Sequence, residues 1–238
     1  MQSTSRSVQQ LVEDQVRRWR IEGRGRGSGG GAVKSVVTLS REPGSGGRLV
    51  AERLAAVLGW DLFDRDLISR VAQSVNMSTA IVETLDEKEQ SLLSHWITGL
   101  VSRRHLWPDQ YQQHLLRVIA TIGRHGHAVI VGRGANFILP RDHCVRVRVV
   151  CPREMRIESV ANYYHVPEEE AERRLARSES NQRAFIQQNF NAAIDDPTQY
   201  DLVLNTGSLG IDGAVDVIRS FIESQNRTST RRPPAHVM

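Results

Sequence analysis

Lysine is nearly absent from this chain. Among its 238 residues only Lys34 and Lys88 are lysine, and the other 29 of its 31 basic residues are arginine. Any anion-binding chemistry must therefore rest on guanidinium, which stays charged and grips phosphate oxygens in pairs. Cysteine is scarce as well. Cys144 and Cys151 are too few for a disulfide framework or a zinc site, so reduced thiols in a cytoplasmic protein are expected. No apolar run approaches the roughly 20 residues that span a bilayer, which leaves no membrane segment. The polar start Met1-Gln2-Ser3-Thr4 leads into no signal-like apolar block. Neither sign of charge dominates. The net charge of +4, with much of the excess near the two ends, suits a small anionic ligand and does not by itself indicate nucleic acid.

What is present fits a soluble globular domain with appendages, at 39% hydrophobic and 24% charged residues. Val8, Leu11, Val12, Val16 and Trp19 fall at helical spacing among polar residues. They predict an N-terminal amphipathic helix within residues 1–22 that docks on the body or serves as a homodimer surface. Residues 23–32 read as a flexible Gly/Arg linker. The stretch 225–238 has the composition of a disordered tail. An RNA-binding role for these arginine-bearing ends predicts salt-dependent affinity that vanishes when 1–32 and 225–238 are removed.

Between the ends, strands alternate with helices. A strand near 35–40 enters a glycine turn, and a helix spans about 47–58. Asp61-Leu62-Phe63 is a short extended piece, and helical stretches run from about 65 to 120, broken around Pro108. Apolar runs follow at 128–131, ending in Gly132-Arg133-Gly134, and at 145–150 before Cys151-Pro152. Helices are expected at about 153–163 and, behind Pro167, at 168–178. A last strand at 201–204 and a helix near 211–223 complete the core domain, 33–224. Such alternation predicts a parallel sheet covered by helices. Ligands of these sheets sit outside the carboxyl ends of the strands. Arg41 to Gly47, Asp64, Gly132 to Asn136 and Asn205-Thr206 should therefore share one edge.

The most telling stretch is Ser40-Arg41-Glu42-Pro43-Gly44-Ser45-Gly46-Gly47-Arg48. A β-branched run enters it and an amphipathic helix leaves it. Glycines let backbone N–H groups approach an anion, and a helix start adds unpaired donors and a positive dipole end. An ordinary glycine turn shares these features. The pattern G-x-x-x-x-G-K-[ST] fails here: Gly47 stands where lysine would, and Leu49 brings no hydroxyl for magnesium. Arg41 and Arg48 flank the loop and are the first candidates for the missing charge, although surface arginines usually just snorkel.

This loop resembles the modified P-loop of the cytidylate-kinase-like family, which reads close to S-R-E-x-G-S-G-G-R. Four further stretches resemble the same family: Leu62 to Ile68, Val129 to Asn136, Asp196-Pro197 to Asn205-Thr206, and the N-terminal helix ending Gln15-Val16-Arg17-Arg18-Trp19. The resemblance implies a three-layer α/β/α P-loop kinase fold with a parallel sheet, a helical monophosphate-binding insertion at about 65–125 and a short lid at about 173–191. It implies transfer of a phosphoryl group from ATP, with Mg2+, to CMP or dCMP. Gly44, Ser45, Gly46 and Gly47 would wrap the ATP phosphates, with Arg41 and Arg48 beside them. Asp64 and Arg133 would face the acceptor. Arg177 and Arg183 in the lid would join Arg48 in neutralising charge on the transferring group, as phosphoryl transfer needs positioning and cations more than a nucleophile.

Plainer roles compete at several of these positions. Arg173, Arg174 and Arg177 lie among Glu168, Glu169, Glu170 and Glu172 and suit i,i+4 surface pairs. Asp64 suits a helix cap, or with Asp66 a magnesium site. His125 and His127 flank Gly126 without a third metal ligand in view. Two departures from the family bear on rate and specificity: the missing lysine, and Ser180 where an aspartate is common. The chain therefore reads as a nucleotide kinase. The alternatives are a nucleotide-binding regulatory module without turnover and a kinase of another small acceptor.

Overall fold

The computed structural model describes residues 7–23, 35–104 and 108–230. Lys34 and the expected linker, except Gly23, lie outside them, as do residues 231–238. The chain divides into two units, residues 1–30 with 63–125 and residues 31–62 with 126–238.

The second unit holds the sheet. Five strands, β1 (Val36–Arg41), β2 (Asp61–Phe63), β3 (Ala128–Val131), β4 (Val145–Val150) and β5 (Leu202–Asn205), stand in the order β2-β3-β1-β4-β5. The division between the units falls inside β2. β1 pairs parallel with β3 and β4, and β4 pairs parallel with β5. The helices are α2 (Gly47–Leu58), α7 (Ala135–Ile138), α8 (Arg153–Tyr164), α9 (Glu168–Phe190) and α10 (Thr206–Thr230), the last interrupted by non-helical Gly210. Strand side chains alternate between faces. Val37 and Leu39, Val129 and Val131, and Val145, Val147 and Val149 all join one core with Val50, Leu54, Ile218 and Ile222 of α2 and α10. The opposite face of β4 carries Arg146 and Arg148, both buried. Thr38 and Ser40 of β1 stand in register with them.

The first unit is helical, and it contains the segment expected as the insertion. It comprises α1 (Val8–Gly23), α3 (Arg65–Gln73), α4 (Val75–Val82), α5 (Glu87–Arg104) and α6 (Gln110–His125). Ser74 separates α3 from α4 and caps the latter by accepting from the Met77 amide at 3.3 Å. α1 packs on α3 and α4. Its Trp19 ring stacks on His125 at 4.1 Å and on Phe63 at 6.0 Å. Val12, Val16 and Trp19 are buried this way, the docking on the body that was one of the two expectations, while Leu11 of the same face stays exposed.

Other expectations shift in detail. α9 runs unbroken to Phe190 rather than stopping near Ser178. α10 extends beyond 211–223 in both directions, so residues 225–230 of the expected tail are helical. Among the described residues no helix is long and apolar enough to cross a membrane.

Candidate active site

The ties of the glycine loop to β3, β4, α8 and α10 lie within the sheet-bearing unit. The loop leaves β1 at the middle of the sheet and is tied to its neighbours through the backbone. The Glu42 amide donates to Val149 O at 3.0 Å and the Gly132 amide to Leu39 O at 3.0 Å. The Thr206 hydroxyl lies 2.7 Å from Ser45 O and 3.1 Å from Val150 O. Arg41 to Gly47, Gly132 and Thr206 therefore meet at one sheet edge, while Asp64, expected there too, belongs to the helical unit.

Gly44 has φ +78 and sits so close to α8 that a Cβ there would lie 2.7 Å from Arg156 O. Gly46, at φ 71, is the N-cap of α2, and no side chain caps that helix. Its first-turn amides have no carbonyl partners within the helix. An uncapped helix start behind glycines packed this closely leaves amides with no partner inside the helix, the kind of feature that suits an anion. Magnesium finds less here. The Ser45 hydroxyl donates to Glu42 O at 2.8 Å, and the nearby carboxylates Glu42 and Asp195 are both in ion pairs with arginine. No group of three or more His, Cys, Asp or Glu placed to hold a metal occurs among the described residues.

The expected arginines separate into different settings. The Arg41 guanidinium reaches the turn after β3, where Nη1 would stand 3.3 Å from a Cβ on Gly132. Arg48 points out along α2, its side chain 72% exposed and its Nε 2.8 Å from Glu52. Arg133, at φ 51, lays its guanidinium over the Phe185 ring at 5.3 Å. Arg173 and Arg174 pair with Glu170, the surface role weighed for them. Arg177 is exposed and makes no ion pair among the described residues. Six residues place it about 120° around the helix from Arg183.

Arg183 is the lid arginine that the structure ties to the loop's surroundings. Its Nε donates to Asp195 Oδ2 at 2.9 Å. Asp195 holds its pKa above the usual arginine value, and Glu179 and Glu42 add to the effect. The segment expected as the lid, 173–191, is thus all but the first turn or so of one long helix, and its end is anchored. Phe190 is buried, stacks on Phe137 at 5.6 Å, and fills the space a Cβ on Gly134 would need.

Three residues at this edge were not singled out in the sequence. Arg156 of α8 is buried beneath the loop. Its Nε donates to Cys151 O at 2.9 Å and lies 3.4 Å from Glu42 Oε2, and its Nη1 donates to Glu179. Glu42 also accepts from the Cys151 amide at 3.1 Å. Arg148 of β4 donates to Ser40 Oγ at 2.9 Å and to Asp195 Oδ1 at 2.7 Å. Asp195 is the third. The alternation Val145-Arg146-Val147-Arg148-Val149 was the signal for Arg148, since two arginines on one strand face must be buried or partnered.

Asp64 and the histidines belong to local structure. Asp64 caps α3, accepting from the amides of Asp66 at 3.0 Å and Leu67 at 2.8 Å. His125 stacks on Trp19, with Nε2 2.7 Å from Thr84 Oγ1, while His127 makes an edge contact with Trp60.

The parallel sheet and its covering helices define a three-layer α/β/α fold. Residues 36–208 match the cytidylate kinase-like family, and the chain belongs to it. It is 23% identical over 189 residues to a cytidylate kinase of Staphylothermus marinus, spanning 79% of this chain and 96% of that one. It is 23% identical over 106 residues to a cytidylate kinase of Methanocaldococcus jannaschii, spanning 43% of this chain and 60% of that one. A solved structure of an uncharacterized protein from Eubacterium ventriosum shares the fold, with TM-score 0.61 and 20% identity over 79% of this chain and 98% of that one.

Proposed function

We propose that this chain is a nucleoside monophosphate kinase that transfers the γ-phosphoryl group of ATP to CMP or dCMP. One observation carries the reading: an uncapped helix start behind the Gly44–Gly47 turn, with Arg183 tied through Asp195 and Arg148 to Ser40 at the base of the loop. The loop amides would bind the phosphate chain, and Arg41 at the adjoining turn would add charge. Arg183 would neutralise charge that develops on the transferring group, where a fixed cation acts most strongly. Arg133, beside Phe185, is the proposed acceptor contact in the sheet-bearing unit, whereas Asp64, expected to share that role, caps α3 in the helical unit. Arg177 and Arg48 are supporting cations that would have to turn inward. Magnesium, carried by the ATP phosphates and water, would supply further charge neutralisation.

A second reading takes its support from the loop itself. Without the lysine, and with Arg48 directed at Glu52, the chain would bind nucleotide as a regulatory module without turnover. A coupled ADP-release assay across nucleoside monophosphates separates the two. Turnover that peaks with CMP or dCMP supports the kinase. Turnover with another acceptor keeps the enzyme and changes its substrate, whereas ATP binding with no turnover favours the module.

A further inference from the structure

The Asp195 carboxylate is shared between two arginines of opposite character. Oδ1 accepts from Arg148, whose side chain is 6% exposed, and Oδ2 accepts from Arg183, whose side chain is 59% exposed. Arg148 is itself fixed from behind, by the Ser40 hydroxyl at 2.9 Å and by the Tyr200 ring 5.8 Å from its guanidinium carbon. Tyr200 is held in turn, donating to Ile194 O at 2.8 Å. Ser40 is the residue before Arg41, so one polar chain runs from the base of the loop through Arg148 and Asp195 to Arg183. The two terminal nitrogens of Arg183 donate to nothing among the described residues.

An exposed ion pair between two mobile side chains orders neither one well. Here one side of the pair is itself held, because Asp195 Oδ1 accepts from the buried guanidinium of Arg148. The Nε of Arg183 is anchored while the two nitrogens suited to paired phosphate recognition stay open. We propose that Asp195 is a positioning residue. Held by Arg148, it orients Arg183 so that its terminal nitrogens meet the transferring phosphoryl group. The inference rests on the phosphoryl-transfer reading and adds the means by which its arginine is aimed.

Asp195→Asn is the decisive variant. It keeps an acceptor for Arg148 but replaces the carboxylate that holds Arg183. With saturating ATP and acceptor, kcat should fall about 10- to 100-fold, the range seen when supporting contacts behind a reacting group are lost. The KM for ATP should stay within about twofold, as expected for an interaction made only in the transition state. In an Arg183→Ala background the same change should cost nothing further, because Asp195 acts through Arg183. An equal loss in both backgrounds would overturn the proposal. A second readout does not need turnover. The Arg183 Nε–Hε NMR signal should exchange slowly with solvent in the native chain and quickly in Asp195→Asn. Fast exchange in the native chain would refute the anchoring even if the kinase is active. Wild-type inactivity with slow exchange would instead refute the kinase reading and leave the anchor intact.

Discussion

Replacing Gly44 with alanine tests the cradle most sharply, because Gly59 supplies a matched control. Both glycines have left-handed backbones, at φ +78 and φ +64. An L-residue in that region costs about 1–2 kcal/mol, and this applies at both sites. Their surroundings differ. A Cβ at Gly59 meets nothing within 4 Å, whereas one at Gly44 lies 2.7 Å from Arg156 O and 3.1 Å from Arg156 Cα. That obstacle is backbone and cannot rotate away, so overpacking adds about 1–3 kcal/mol. Gly59→Ala should therefore lose about 1–2 kcal/mol and Gly44→Ala about 2–5 kcal/mol. At about 2–4 °C per kcal/mol for a chain of this size, thermal denaturation resolves the two. A loop pushed off α8 also loses its phosphate geometry, so Gly44→Ala should weaken ATP binding about tenfold or more in calorimetry, a change of about 1.4 kcal/mol. Gly59→Ala should bind ATP as the native chain does. Equal stability losses with unchanged ATP affinity in both variants would refute the claim that the loop is a close-fitting phosphate cradle.

Three further outcomes follow from the same geometry. Asp64→Ala removes the α3 cap and should cost about 1 kcal/mol in urea unfolding, with Asp64→Asn losing much less; native stability in both would exclude the capping role. Trp19→Ala empties a buried stack against His125 and Phe63 and should cost about 3–5 kcal/mol. Protease should then cut within residues 7–23, and an unchanged digestion pattern would show that α1 does not depend on that stack. Burial raises the Tyr200 phenol above its ordinary pKa, against the opposing effects of Ser40 and Arg148. The unfolded chain then releases this proton first, so stability should fall as pH rises past about 10. Tyr200→Phe should flatten that alkaline slope, and an unchanged slope would assign it elsewhere.

The sheet was legible because its strands are short apolar runs bounded by turns, and β1, β3 and β4 fall within a residue or so of their expected places. The strand-turn-helix path through Gly44, Gly46 and Gly47 was legible from glycine spacing, which by itself did not separate an anion-binding loop from an ordinary turn. The length of α9 was not, because the acidic block at Glu168 to Glu172 draws attention from the apolar positions Ile186 and Phe190 that hold its far end. The polar ties beneath the loop were hidden for a different reason. Arg148, Arg156 and Asp195 are far apart in the chain, and only the fold brings Ser40, Arg148 and Asp195 within hydrogen-bond reach. The strand alternation marks Arg148 as buried or partnered, but nothing in the sequence names its partners, and Arg156 on its helix carries no such sign. Arg48 and Arg183 show the converse. Both were singled out as cations near phosphate, yet one points along an exposed helix face and the other is anchored on Asp195.

The central claim is that arginine serves where this loop has no lysine, and Arg183→Ala measures it directly. Steady-state ADP release with CMP should lose about 10²- to 10³-fold in kcat, the scale of losing one fixed charge-stabilising group, while calorimetric ATP affinity changes little. Turnover that survives the substitution at near-native rate would contradict the account and move the catalytic charge to Arg41 or Arg133.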